Sequence, residues 1–185
     1  EIMVDRNQPV LNITPIKEIV DYNEYVRFLI NLTTSTGTAI VANESNPVYL
    51  YIKNKDTGNF IVIKSLGDSY FNTTLDGSIE IVLDQYLREG NYTIYASWNG
   101  DGESYYGANG EGNFTVSTEK LVKGTYTDLK YLIDTIEYGN NYLNLEYNFT
   151  YNPDFDGDRF PEGVIINENI TVSGNGYAIS GNNSK

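Results

Sequence analysis

The chain has no cysteine and no histidine, and only one methionine and one tryptophan among 185 residues. Without cysteine there are no disulfides and no thiolate metal sites, and the redox compartment stays open. Without histidine, the commonest general base and the commonest metal ligand are both missing. Basic side chains are scarce: 12 Lys and Arg stand against 25 Asp and Glu, a net charge of −13. Such a surface repels nucleic acid and anionic membranes, so neither is expected as a partner. No apolar run reaches the length of a spanning helix, and no membrane insertion is expected within this chain. Glu1 opens the sequence with no signal-type apolar stretch after it, so any secretion signal is expected to have been removed or to lie outside this sequence.

Tyrosine is abundant instead, with 17 copies beside 17 Gly and many Asn and Thr. That palette suits an extracellular β protein. Asn-x-Ser/Thr sequons occur at Asn12, Asn31, Asn43, Asn72, Asn91, Asn113, Asn148, Asn169 and Asn182. They are candidate glycosylation sites. Asn and Thr alternating on strand faces would produce the same tripeptides without any sugar. Both readings favour a secreted, cell-surface location.

Residues 1–11 read as a linker. From 12 to 117 the chain alternates apolar and polar residues in short runs separated by turn signals. Asn12–Lys17 holds Pro15, which confines it to an edge. Tyr25–Leu32 is a buried run, and Val48–Lys53 and Phe60–Lys64 flank an Asn-Lys-Asp-Thr-Gly turn. Ser78–Leu83, Asn91–Trp98 and Asn113–Val116 complete about seven strands, the count expected of an Ig-like β-sandwich. Leu87–Ile94 (LREGNYTI) has the form of a tyrosine corner built on Tyr92.

Residues 118–185 change period. Leu129, Leu132, Ile133 and Ile136 line one helix face, with Thr125 or Thr127 as N-cap and Gly139 as the stop. Tyr142–Tyr151 reads as a strand. Gly163–Gly181 then carries one phrase twice, Val172-Ser-Gly-Asn and Ile179-Ser-Gly-Asn, with Gly and Asn at expected positive-φ corners. Short strands with frequent corners predict a short capping helix followed by the start of a right-handed parallel β-helix. A solenoid needs about three or more stacked units, so the sequence is expected to be a piece of a longer protein. The joint at 117–124 is short, which predicts two rigidly joined units.

Two segments resemble known families. Gly90–Val116 is similar to the last two strands of Ig-like repeat domains of bacterial and archaeal surface proteins, with Trp98 where Tyr is more usual. Thr125–Ile133, Leu143–Leu145, Tyr147–Tyr151, Gly163–Asn167 and Ile170–Gly181 follow in order the motifs of the β-helix domain of adhesin-like surface proteins of methanogenic archaea; Tyr177 replaces the usual His. The resemblance implies a non-catalytic adhesin fragment that mediates attachment to other cells, through their surface polysaccharide or protein. The alternative is the stalk and cap of a β-helix polysaccharide-degrading enzyme whose active groove lies beyond Lys185. No catalytic constellation is visible, and an enzyme is not expected.

Two candidate sites stand out. Asp154, Asp156, Asp158 and Glu162 place carboxylates at alternate positions around Gly157, a spacing that suits calcium's preference for several oxygens on one loop. A solvated acidic turn neutralised by Arg159 explains the same residues. No cofactor is otherwise expected. Trp98, Tyr105 and Tyr106 flank a Gly-rich loop and offer aromatic faces for sugar stacking, against which stands a core position for Trp98 at the end of its strand. Asp101 beside them reads as a turn residue.

Overall fold

Period-two alternation becomes sheet wherever an apolar face can be covered. The computed structural model describes residues 7–63, 70–136, 140–167 and 169–181, and these form a mainly β chain with several sheets, none closed into a barrel. Strands β1 (Pro9–Pro15), β3 (Arg27–Thr34) and β7 (Ser78–Val82) make a three-stranded antiparallel sheet in the order β1-β3-β7. The larger sheet runs β2 (Ile19–Asp21), β9 (Ala108–Ser117), β8 (Gly90–Trp98), β4 (Val48–Asn54), with β5 (Phe60–Ile61) and β6 (Tyr70–Phe71) both on β4. Pro15 ends an edge strand, as its missing N–H requires.

The two sheets share one core. Phe28, Ile30 and Leu32 of β3 are fully buried, as are Val48 and Ile52 of β4 and Ile94 of β8. Each such side chain contributes about 1.5–3 kcal/mol of burial. The last strand of these sheets, expected from Asn113, begins at Ala108, and the glycines of the Gly-rich stretch it takes in have a packing reason. A Cβ on Gly110 would lie against the Leu11 carbonyl oxygen, and one on Gly112 would meet the Ile13 carbonyl oxygen at 3.0 Å. Glycine at both positions lets β1 cross close over β9.

Two strands were not legible in the pattern. β2 is three residues long and pairs in parallel with β9, almost a hundred residues later. β6 is a two-residue partner of β4. The expected hairpin at Asn54–Gly58 forms: Asn54 Oδ1 accepts from the Asp56 and Thr57 N–H groups at 2.8 and 3.0 Å, and Gly58 takes φ 78°.

The tyrosine corner also forms, with the Tyr92 hydroxyl donating to the Arg88 carbonyl at 2.7 Å. It fixes the segment on which the longer of the two α-helices among the described residues docks. That helix, α1 (Tyr126–Asp134), is capped by Thr125, whose side chain accepts from the Asp128 N–H. It stops at Asp134 with Thr135 as C-cap, earlier than expected; Gly139, the anticipated stop, lies outside the described residues. Thr135 Oγ1 bonds the Tyr131 carbonyl at 2.8 Å, closing the last turn from within. Arg88 supplies the cation that α1 lacks at its C-terminal turn by donating to the Leu132 carbonyl at 3.1 Å. Tyr131 donates to the Leu87 carbonyl at 3.2 Å and meets Tyr22 edge-to-face. Tyr92, Arg88 and Tyr131 thus link the core of the two-sheet part to the helix.

Beyond α1, the single strand expected over Tyr142–Tyr151 is two: β10 (Tyr142–Asn144) and β11 (Phe149–Thr150). β10 pairs in parallel with β12 (Thr171–Ser173), setting Leu143 beside Val172. β11 pairs in parallel with β13 (Ile179–Ser180), setting Phe149 beside Ile179. The two copies of the repeated phrase therefore lie on two successive upstream strands in nearly the same offset. Asn175 and Gly176 take φ 47° and 90° at the corner between β12 and β13. Leu129, Leu143, Leu145 and Phe149 form the core of this part under α1.

Candidate functional site

The acidic stretch Asp154–Glu162 folds as a four-residue helix, α2 (Pro153–Asp156), followed by a 3₁₀ turn over Gly157–Arg159. Asp156 turns inward and is fully buried, whereas Asp154, Asp158 and Glu162 are exposed. One Asp156 oxygen accepts from the Thr127 N–H and Thr127 Oγ1, both at 2.8 Å; the other accepts from the Tyr126 N–H at 3.1 Å and the Asn152 N–H at 2.7 Å. Tyr126 and Thr127 are the first residues of α1, so these N–H groups are helix donors with no partner inside the helix. Asp156 also places its charge where the helix dipole favours an anion. Burial alone would raise its pKa, but the hydrogen bonds from Asn152, Thr127 and Tyr126 outweigh it and hold the carboxyl below its ordinary value.

The central carboxylate of the calcium candidate is thus committed to a helix N-terminus. Its four donors leave no oxygen directed at an ion, and among the described residues no group of three or more Asp, Glu, His or Cys side chains is placed to hold a metal. Asp128 plays a related part: buried, it accepts from the Gly124 N–H at 2.7 Å and the Tyr147 hydroxyl at 2.9 Å. Burial and that carboxylate push the Tyr147 hydroxyl's pKa well up.

Of the three aromatic candidates, Trp98 belongs to the core. It is buried, and its indole N–H donates to the Asn46 carbonyl at 3.0 Å. Tyr105 packs beside it with ring centroids 6.2 Å apart. Tyr106 is the exposed member. Asp101 is the turn residue expected, accepting from the Tyr105, Glu103 and Ser104 N–H groups, which hold its pKa down. These residues do not assemble a shared open platform.

An aromatic row that sequence reasoning passed over lies instead on the outer face of the larger sheet. Tyr51 and Tyr95 are directly opposite on β4 and β8, with rings stacked at 4.9 Å. Phe60 meets Tyr51 edge-on at 5.6 Å, and the Lys53 ammonium sits 5.8 Å from the Phe60 ring centre. Tyr49, Tyr51 and Phe60 are 39, 43 and 63% exposed. Ser97 stands opposite Tyr49 and Glu111 opposite Tyr95, so polar groups flank the rings. The signal was present in the strands VYLYIK and NYTIYASW, where Tyr holds outward positions that an ordinary solvated face gives to charged or small polar residues.

No protein family and no curated protein matches this sequence. Among solved structures, the soluble domain of PmoD from Methylocystis sp. ATCC 49242 (Rockwell) is similar over 58% of this chain and 90% of that one, at 10% identity and a TM-score of 0.35. A likeness at that level carries no argument about function.

Proposed function

We propose that the chain is a non-catalytic binding module of an adhesin-like cell-surface protein, and that it contacts polysaccharide on other cells. The observation that supports this best is the aromatic row formed by Tyr49, Tyr51, Tyr95 and Phe60. Sugar rings present C–H faces to aromatic rings and hydroxyls to flanking polar groups, and an exposed cluster of large aromatic side chains marks an interaction surface. In this reading residues 12–117 are an Ig-like sandwich, a view supported by the facing sheets and the Tyr92 corner. Residues 118–185 are a capping helix and the first rungs of a parallel β-helix, a view supported by the two parallel pairs at nearly equal offset.

The test is binding of the purified chain to a panel of polysaccharides and whole cells, with Tyr51→Ala alongside. The outward side chain of Tyr51 contributes little to the core, so the variant is expected to fold and to bind at least tenfold more weakly. Binding to none of the panel, or equal binding by the variant, would contradict the reading. Release of new saccharide ends would identify an enzyme instead.

A further inference from the structure

The sequons separate into two structural kinds. Asn91 and Asn113 lie on neighbouring strands, and each sequon's threonine serves the other's asparagine. Thr93 Oγ1 donates to Asn113 Oδ1 at 2.8 Å, and Thr115 Oγ1 donates to Asn91 Oδ1 at 3.0 Å. The Asn91 amide nitrogen in turn donates to Asp56 Oδ1 at 3.2 Å. Asn12 and Asn31 face one another across the β1–β3 ladder. Asn148 Oδ1 accepts from the Ala178 N–H at 2.9 Å and so ties one layer of the C-terminal part to the next. Thr74, the third residue of the Asn72 sequon, spends its hydroxyl on the Ser78 carbonyl at 2.7 Å. Asn182 lies outside the described residues.

Two sequons differ. Asn43-Glu44-Ser45 is an exposed turn in which Asn43 Oδ1 accepts from the Ser45 N–H at 3.0 Å, leaving the amide nitrogen directed away from that bond. The turn is held from below, since the Trp98 indole fixes the Asn46 carbonyl. Asn169 is exposed and precedes β12, whose first residue Thr171 is also exposed; neither side chain has a hydrogen-bond partner among the described residues.

We propose that the folded chain accepts N-linked oligosaccharide at Asn43 and Asn169, and that the sequons at Asn91, Asn113 and Asn148 are structural. Transfer needs a free amide nitrogen and a readable Ser or Thr hydroxyl on backbone that a transferase can engage. The sugar donor is a polyprenyl-pyrophosphate-linked oligosaccharide. The asparagine Nδ2 attacks sugar C1, the N–C1 bond forms, and the C1–O bond to phosphate breaks. The pyrophosphate carrier leaves with the electron pair, and one amide proton passes to a base of the transferase. The inference deepens the cell-surface reading, and it can stand or fall apart from polysaccharide binding.

The experiment incubates the folded chain, and in parallel short synthetic peptides of each sequon, with a single-subunit oligosaccharyltransferase and that donor. Occupancy is then mapped by mass spectrometry. On the folded chain, Asn43 and Asn169 should be occupied at least tenfold more than Asn91, Asn113 and Asn148, while the peptides show no such division. Ser45→Ala should abolish occupancy at Asn43 alone, and Thr171→Ala at Asn169 alone. Equal occupancy of the strand sequons on the folded chain, or an unmodified Asn43 and Asn169 where their peptides are modified, would overturn the proposal. A chain that binds no polysaccharide yet takes sugar at these two sites would overturn the adhesive reading and uphold this one.

Discussion

Replacing Asp156 with asparagine changes one oxygen into an amide nitrogen and little else in size. In the parent chain, one carboxylate oxygen serves Thr127 twice and the other serves the Tyr126 and Asn152 N–H groups. The asparagine oxygen can keep the first pair, but its NH₂ then confronts the second pair donor to donor. Leaving buried donors unmatched costs about 1–3 kcal/mol each, and losing the anion at the helix N-terminus costs about 0.3–2 kcal/mol more. These contributions overlap, and a net loss of about 3 kcal/mol is expected. For a chain of this size that lowers the thermal midpoint by about 6–12 °C. Because the folded pKa of Asp156 lies below its unfolded value, its stabilisation is fully present above the ordinary carboxylate range. It is lost as pH falls through the folded pKa. The asparagine variant should therefore differ most from the parent at neutral pH and converge with it in acid. Thermal melts by circular dichroism from neutral to strongly acidic pH, with and without calcium, read all of this. A variant within about 0.5 kcal/mol of the parent would refute the helix-clamp reasoning. So would a calcium-dependent rise in the parent's midpoint that the variant abolishes, because ligand binding to the native state would then be the source of stability.

Other outcomes follow from single contacts. Gly110→Ala places a methyl group against the Leu11 carbonyl and should cost about 1–3 kcal/mol, read by urea denaturation; an unchanged midpoint would show that β1 can retreat from β9. Burial pushes the Tyr131 phenol up to about 12, so the stability it lends is complete below the ordinary tyrosine pKa of about 10 and is lost as pH rises through 12. Tyr131→Phe should lower the stability by about 1 kcal/mol at neutral pH and flatten the alkaline decline; parallel alkaline profiles would contradict the buried hydroxyl.

Much of the architecture was legible because local patterns and tertiary needs agree. Alternation in Val48–Lys53 and Asn91–Trp98 names the buried face correctly, and the spacing of Tyr92 from Arg88 is enough to predict the corner bond. The Thr125 cap follows from the residue type before a 3.6-period run. What escaped was non-local. β2 exists because β9 offers a parallel edge, and three residues hold no period of their own. The carboxylates around Gly157 have the local spacing of a calcium loop, but nothing within that loop reveals that Asp156 reaches a helix start some thirty positions earlier. Trp98, by contrast, takes the core position that the end of its alternating strand suggests, buried at an inward position of β8. The outward tyrosines of β4 and β8 were each visible singly, and only the register between the strands turns them into one row.

The adhesive reading is tested most directly by a binding isotherm of this chain on a polysaccharide that it retains, recorded for the parent and Tyr51→Ala, each with calcium and with chelator. The account predicts saturable binding by the parent that is the same with calcium and with chelator, and at least a tenfold loss in the variant. Binding that disappears in chelator, or that survives unchanged in Tyr51→Ala, would contradict an aromatic platform as the contact surface.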